Sequence, residues 1–478
     1  MNKNKIFIPI LAILSIFTLS KSSGKIKDQG FDISVQINHF PDTVAYLGYH
    51  FGDQKFVKDT SRVYDKNILH FKGSEDLKTG IYFVYSASVY FEVIMNEQKF
   101  SIKTDTADIM NHMEITGSRE NELFNKFQQF MAEKQQSSRK LSETINAMDQ
   151  AKNAQEIADL KSQLTDIGKE IEAYQDNLIK NNTGTFVAKL VLAMKKPQVP
   201  DPPKNAQGEI IDKSFQFYYY KNHFFDHFDL SDPSLLRTPL YQPKVDEYTE
   251  KLTYQHPDSI NKGVDFLLKA AGNNEETFRY MLVKLTNKYE TSNIMGMERV
   301  FVYLAENYYL KGKAYWADSS LLAKFEKRVK ELKPNLVGNI APDMVLRDTL
   351  MRPVRLSSID SRFIVLYFYD PDCGHCKKAT PQLRNSYERL KQKNVEVIGA
   401  CTVTDIDKWK SYIKENHLNW INAADPYLQS NFRADYDIKS TPTIYVLNKD
   451  KEIIAKRIGV EQIEDFIDRM IEIEEKES

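Results

Sequence analysis

From residue 25 to about 118 the apolar residues of this chain fall at every second position or in short runs. Ile33, Val35 and Ile37 alternate with polar neighbours, and 80–85 and 89–95 are longer aromatic and β-branched runs. Shorter candidates are 68–71, 100–103 and 113–116. A period of two marks strands, and short strands punctuated by Gly, Asn or Asp predict an antiparallel sandwich or barrel. This all-β, sandwich-like domain is placed at 25–118. Its aromatic residues read as core rather than as a platform for a ligand.

After Ser118 the period lengthens. Ile157, Leu160, Leu164, Ile167, Ile171, Tyr174 and Leu178 recur in steps of three and four, the seam of one helix packed on another. Leu141, Ile145 and Met148 offer a facing stripe, so the spacing predicts a helical hairpin; a homodimer through the same seam is the alternative. Residues 181–184 stop that helix, 186–196 form a short apolar one, and the proline-rich stretch 197–208 is an irregular connection. Further helices are expected over 240–254, 257–271, 274–290, 297–310 and 318–332, completing an all-α region at 119–334. Within it His223 and His227 lie one helical turn apart, a spacing that suits a metal, but the aromatics around them point to packing.

Residues 335–478 alternate strand and helix, an α/β order. Phe363 to Tyr369 is an unbroken apolar run, the pattern of a strand buried on both faces. Asp370-Pro371-Asp372 makes a turn because proline fixes its own φ and restricts its predecessor. Cys373 then opens a helix, with Gly374, His375 and Cys376 behind it. Two thiols three positions apart can close a small disulfide ring, and the unpaired N–H groups of a helix start favour a thiolate at the first. His375, as a cation, adds to that push. Zinc normally takes four ligands, and beyond this pair the chain offers only Cys401 and scattered histidines; so short a loop also gains little as a structural staple. Redox chemistry at Cys373 and Cys376 is the reading, with no metal. Cys401 reads as a small buried apolar residue, and Trp409 and Trp420 as core.

These motifs resemble a known family. The C-terminal segment is similar to thioredoxin-fold proteins of the TlpA and ResA branch, over about 140 residues. Pro381 stands where that family has its helix-kinking proline. Ser440-Thr441-Pro442-Thr443 resembles its cis-proline loop, and Gly338-Asn-Ile-Ala-Pro-Asp343 its entry signature, which also occurs in peroxiredoxins. The inner pair Gly374-His375 is the one found in protein disulfide isomerases. The resemblance implies a multidomain chain ending in an α/β thioredoxin fold at 335–478, behind small β and helical domains. It implies a thiol-disulfide oxidoreductase with no cofactor beyond a redox-active Cys373–Cys376 disulfide. Asp372, Gly374 and His375 would modulate the site, and Thr441 and Pro442 would meet the substrate. The departures are informative. Asp372 replaces a tryptophan, Tyr367 stands where thioredoxins bury an acid, and Ala379 stands where ResA-like reductases carry a glutamate. Asp370, Asp372, His375 or a water remain as candidate proton acceptors for the resolving thiol. The Pro-x-x-x-Thr-x-x-Cys pocket of peroxiredoxins is absent, which weakens a peroxidase reading.

Composition narrows the partners. The balance of 65 basic against 66 acidic residues argues against nucleic acid, which selects a basic face. Lys3 and Lys5 precede an apolar run, residues 6–19, and a small polar cluster at 20–24, the layout of a signal peptide at 1–24. An uncleaved anchor is the other reading of that run, which is short for a membrane span. A periplasm or equivalent envelope follows, with disulfide-bearing protein clients and a membrane or periplasmic electron donor as partners. The rival reading is a binding or scaffold protein whose dithiol is accessory, since most of the chain lies outside the thioredoxin-like part.

Overall fold

The computed structural model describes residues 30–63, 67–149 and 152–477. The candidate export signal at 1–24 lies outside the described residues. Among those described, the chain forms two compact units, one of residues 30–254 with 263–281 and one of 255–262 with 282–477.

In the first unit, strands β1 (Phe31–Asn38), β2 (Val44–Phe51), β3 (Gln54–Arg62), β4 (Ile68–Gly73), β5 (Gly80–Tyr85), β6 (Tyr90–Met95), β7 (Lys99–Asp105) and β8 (Glu114–Thr116) form two four-stranded sheets. Their orders are β4-β1-β7-β8 and β3-β2-β5-β6. The alternation in β1 buries Phe31, Ile33, Val35 and Ile37, which join Leu47, Val84, Val93 and Ile102 in the core. One pairing departs from the antiparallel expectation: β1 runs parallel to β7. The β2–β3 hairpin adds two strands to those the apolar pattern predicts. β3 reads as polar because most of it is exposed, and the tight turn at Gly52 (φ 61°) is its one local signal.

Helices α1 (Arg119–Ala147), α2 (Ala154–Asn181) and α3 (Phe186–Met194) follow. Ser118 caps α1 by accepting from the Asn121 amide. Asn121 in turn exchanges two 2.8 Å hydrogen bonds with the backbone of Ile94 in β6, so the first turn of α1 is sewn to the sheet. The α1–α2 hairpin has the expected seam, with Phe130 stacked on Tyr174 at 3.9 Å, but only Ile157 and Leu178 of the α2 stripe are fully buried. The Glu120 carboxylate accepts from the amides of Phe186 and Val187 at the start of α3. Helices α4 (Phe215–His223), α5 (Pro233–Leu236), α6 (Tyr241–Glu250), α7 (Pro257–Ala271) and α8 (Glu275–Glu290) complete the region, the division between units falling within α7 and α8. α4 buries none of its residues, and Phe217 and Tyr218 stand exposed rather than in the core.

The second unit holds α9 (Glu298–Leu304), which runs into a π-helical turn at Ala305–Tyr309, and α10 (Ser319–Leu332). After them come β9 (Val345–Arg347), β10 (Pro353–Arg355), β11 (Phe363–Tyr369), α11 (Gly374–Gln392), β12 (Val395–Cys401), α12 (Ile406–Glu415), β13 (Ile421–Ala424), α13 (Phe432–Asp435), β14 (Thr443–Asn448), β15 (Ile453–Lys456) and α14 (Ile463–Glu477). The strands form one sheet in the order β10-β9-β13-β12-β11-β14-β15. β11 lies near its middle, parallel to β12 and antiparallel to β14, and all seven of its residues are buried. Phe363, Val365, Tyr367 and Tyr369 face a core shared with Cys376 and Leu383 of α11, while Ile364, Leu366 and Phe368 face the opposite core with Phe432 and Tyr436. The multidomain architecture of an all-β part, a helical part and a thioredoxin-like α/β part is therefore the one the sequence predicts.

Polar anchors tie α10 into the second unit. The buried Asp437 carboxylate accepts from Arg328 of α10 at 3.0 Å and from Arg457 at 2.6 Å, with Lys439 at 3.3 Å. Hydrogen bonds to charged groups contribute about 1.5–3 kcal/mol each when buried. Because Arg457 and Lys439 reach solvent, Asp437→Asn is expected to destabilise the unit by about 2–3 kcal/mol. Urea unfolding followed by circular dichroism measures this; a loss below about 0.5 kcal/mol would show that the anchor is idle.

Candidate active site

The C-terminal end of β11 delivers the chain to the surface. There the Asp370 carboxylate accepts from the Asp372 amide at 2.8 Å, and the Asp370 carbonyl accepts from the Cys373 amide at 3.1 Å, closing the turn that the proline sets up. Cys373 is the residue before the first turn of α11, and its carbonyl accepts the first helical bond, from Lys377. Its position leaves the free N–H groups of the helix start around its own sulfur.

Across the sheet, Thr443 of β14 pairs with Phe368, which brings the preceding Thr441–Pro442 beside the dithiol. That peptide bond is cis. The Cys373 thiol donates to the Thr441 carbonyl at 3.1 Å. Gly374 and His375 are exposed in the first turn, Cys373 and Pro442 are half-buried, and Cys376 is fully buried. All seven candidate site residues thus meet at one end of the sheet.

Their environments push the two sulfurs apart. At Cys373 partial burial raises the thiol, but hydrogen bonds from the Thr441 side chain, from Cys376 and from the His375 amide outweigh it, so the group lies below its ordinary value. At Cys376 burial dominates and pushes the thiol up to about 12. One sulfur is therefore ionisable and within reach; the other is held protonated inside. All three cysteines are free thiols. Cys401 ends β12, is buried without exposed surface, and is likewise pushed up to about 12 by burial. It packs as a core residue.

Asp372 makes an ion pair with Lys408 of α12, and the hydrogen bond to Asp372 raises the lysine. Lys408 belongs to no motif along the chain. Its only signal is topological: Asp405 caps a helix that starts just past the end of β12, at the same sheet edge as the dithiol. Behind Cys376, the Tyr367 hydroxyl lies 2.8 Å from the Thr380 hydroxyl, which also accepts from Tyr412 at 2.9 Å. Thr380 follows Cys376 by four residues, a spacing that puts both on one face of α11 and is visible in the sequence itself.

Elsewhere the chemistry is quieter. His223 bonds Asp226 at 2.6 Å, and no group of three or more potential metal ligands occurs among the described residues. A cavity of about 870 Å³ in the first unit is lined by Lys78, Lys189 and Arg237. Its cations are already matched by Glu276 and Asp232. No helix among the described residues is long and apolar enough to cross a membrane.

The sheet order, the dithiol at a helix start and the Thr441–Pro442 loop define a thioredoxin-fold domain. Residues 337–456 match the AhpC/TSA family, and 31–124 and 169–333 match two families described only as domains of unknown function, DUF4369 and DUF5106. The thiol-disulfide oxidoreductase ResA of Bacillus cereus is 25% identical over 137 residues, covering 28% of this chain and 78% of that protein. ResA of Bacillus subtilis is 26% identical over 122 residues, covering 26% and 67%. A crystal structure of a domain of a possible thiol-disulfide isomerase from Cytophaga hutchinsonii is 33% identical, covering 30% of this chain and 98% of that one, with a TM-score of 0.29. The C-terminal domain is TlpA/ResA-like, similar to that of thiol-disulfide oxidoreductases.

Alkylation reads the asymmetry of the sulfurs directly. Iodoacetamide is expected to label Cys373 alone in the folded protein, with a rate that inflects below the ordinary thiol value of about 8.5, because a depressed pKa leaves more thiolate at any given pH. Peptide mapping by mass spectrometry checks it. Label on Cys376 before Cys373, or an inflection at or above that value, would contradict the geometry.

Proposed function

We propose that this protein exchanges disulfides with protein clients in the cell envelope through Cys373 and Cys376. The observation that carries the reading is geometric: a half-buried Cys373 at the start of α11, beside the cis Thr441–Pro442 loop, with a fully buried Cys376 in the same helical turn. The Cys373 thiolate attacks a client disulfide. A Cys373–client bond forms, and the first client sulfur leaves as a thiolate that takes up a proton. Cys376 then gives up its proton and attacks the Cys373 sulfur, so that the second client sulfur leaves and the enzyme closes its Cys373–Cys376 disulfide. Two electrons pass from the dithiol to the client. A second thiol-bearing partner, in the membrane or the periplasm, returns them; no cofactor takes part.

Thr441, directly ahead of Pro442, presents its backbone to an extended client segment. Gly374 leaves room at the helix start, where even an added Cβ would meet no atom within 4 Å. Asp372 and His375 adjust the charge around the nucleophile. The envelope address is supported by the lysine-flanked apolar run at residues 6–19. A lowered Cys373 stabilises the dithiol form, which makes the disulfide the better oxidant. The reduction potential against glutathione separates the directions: a value near the roughly −180 mV of protein disulfide isomerase assigns disulfide formation, and one at or below the roughly −270 mV of thioredoxin assigns reduction.

The direct test is insulin reduction by the full chain. Cys373→Ser is expected to reduce turnover to background, and Cys376→Ser to retain clients as disulfide-linked adducts that reductant releases. Equal turnover after Cys373→Ser would refute the reading, and non-covalent partners alone would favour a scaffold role.

A further inference from the structure

The second step of exchange needs a proton to leave a sulfur that the fold has made hard to ionise. Burial is the largest influence on Cys376, followed by the backbone at Asp370, the Thr441 side chain and Cys373; no carboxylate side chain is among these. Three hydroxyls gather behind it instead. A helical threonine commonly returns its hydroxyl to the carbonyl four residues earlier, as Thr144 and Thr165 do in this chain. Thr380 does otherwise, its oxygen lying against the hydroxyls of Tyr367 and Tyr412.

The count of hydrogens is informative. Tyr412 donates to Thr380, so the Tyr412 hydrogen is committed. Between Thr380 and Tyr367 a single contact uses one of two remaining hydrogens. When Thr380 donates, the Tyr367 hydrogen is left over, and Tyr367 packs in the same buried core as Cys376, which lies one helical turn before Thr380. Thr380 and Tyr367 have no exposed surface and Tyr412 has 6%, so bulk water does not compete for that hydrogen. The titratable groups that share this core with Cys376 are Cys373 and Tyr387 on its own stretch of chain, Tyr367 and Tyr369 from β11, Cys401 from β12 and Tyr412 from α12.

We propose that Tyr367 donates a hydrogen bond to the Cys376 sulfur as it ionises, held in that orientation by Thr380 and Tyr412, and so stabilises the attacking thiolate in the second step. This rests on the disulfide-exchange reading above. No proton travels along the three hydroxyls. The Cys376 proton passes out to the departing client thiolate, the Cys376–Cys373 bond forms as the Cys373–client bond breaks, and the electron pair of the broken bond leaves on the client sulfur. Tyr367 keeps its hydrogen throughout. The hydroxyls thus fill, without a negative charge, the place where thioredoxins bury an acid.

The test uses the reduced full chain and 5,5′-dithiobis(2-nitrobenzoate), which releases one thionitrobenzoate when Cys373 is attached and a second when Cys376 resolves it. Tyr367→Phe removes only the hydroxyl. The ratio of second-phase to first-phase rate is expected to fall about tenfold, the size of one hydrogen bond to a charged group. The pH profile of the second phase should move upward. Thr380→Val should act in the same direction and Thr380→Ser should restore the ratio, which keeps the test valid if Tyr367→Phe folds poorly. A wild-type ratio in a folded Tyr367→Phe protein, or in Thr380→Val, overturns the inference alone. Failure of the wild type to release the second thionitrobenzoate overturns the exchange reading, and the inference falls with it.

Discussion

The contact on which this molecule turns is the one between the Cys373 sulfur and Thr441, because it fixes both ends of the chemistry at once. The Thr441 carbonyl holds the nucleophile beside the loop that a client would approach, while hydrogen bonds from the Thr441 side chain, Cys376 and the His375 amide draw the thiol down although partial burial would raise it. Three residues on, within the same helical turn, Cys376 points into the core and feels burial above all. Such a difference between neighbours needs rigid support. β11 supplies it by being buried along its whole length, with its alternate residues committed to two separate cores. A strand so constrained cannot slip in register, and the turn it feeds is placed accordingly.

How much of this is legible in the sequence follows from the periodicities. The seven-residue apolar run, the Asp-Pro-Asp turn and the cysteine pair spell out the site because each is a local signal. The long helices are legible because their seam repeats. The β2–β3 hairpin is not, since β3 shows mainly polar residues to solvent. β9, β10 and β13 escape for a different reason: at three or four residues each, they carry too few positions for any period to show. Lys408 and Tyr412 come from elements that only the fold brings to the site, so along the chain the hydroxyl group shows itself only in the Cys376–Thr380 spacing and in Tyr367 standing where thioredoxins bury an acid.

The polar groups of the second unit divide into two kinds. Asp437 and Lys456 are structural. The lysine is fully enclosed, its ammonium bonded to Asn335 and paired with Glu298, and it ties β15 to the segments around α9 and α10. Burial lowers this lysine, so its charge is borne by the fold rather than favoured by it, and its partners offset that cost. The hydroxyl cluster behind Cys376 is the other kind. It offers a dry site a donor without a permanent charge, which leaves Cys376 neutral until a bond is ready to form.

If the account is right, the two sulfurs form a reversible couple of their own. Equilibration of the full chain in glutathione buffers of graded potential, followed by mass mapping, measures this most directly. The account predicts a single two-electron transition that joins Cys373 to Cys376 and leaves Cys401 a thiol throughout. A disulfide involving Cys401, or no reversible transition across the range, would contradict it.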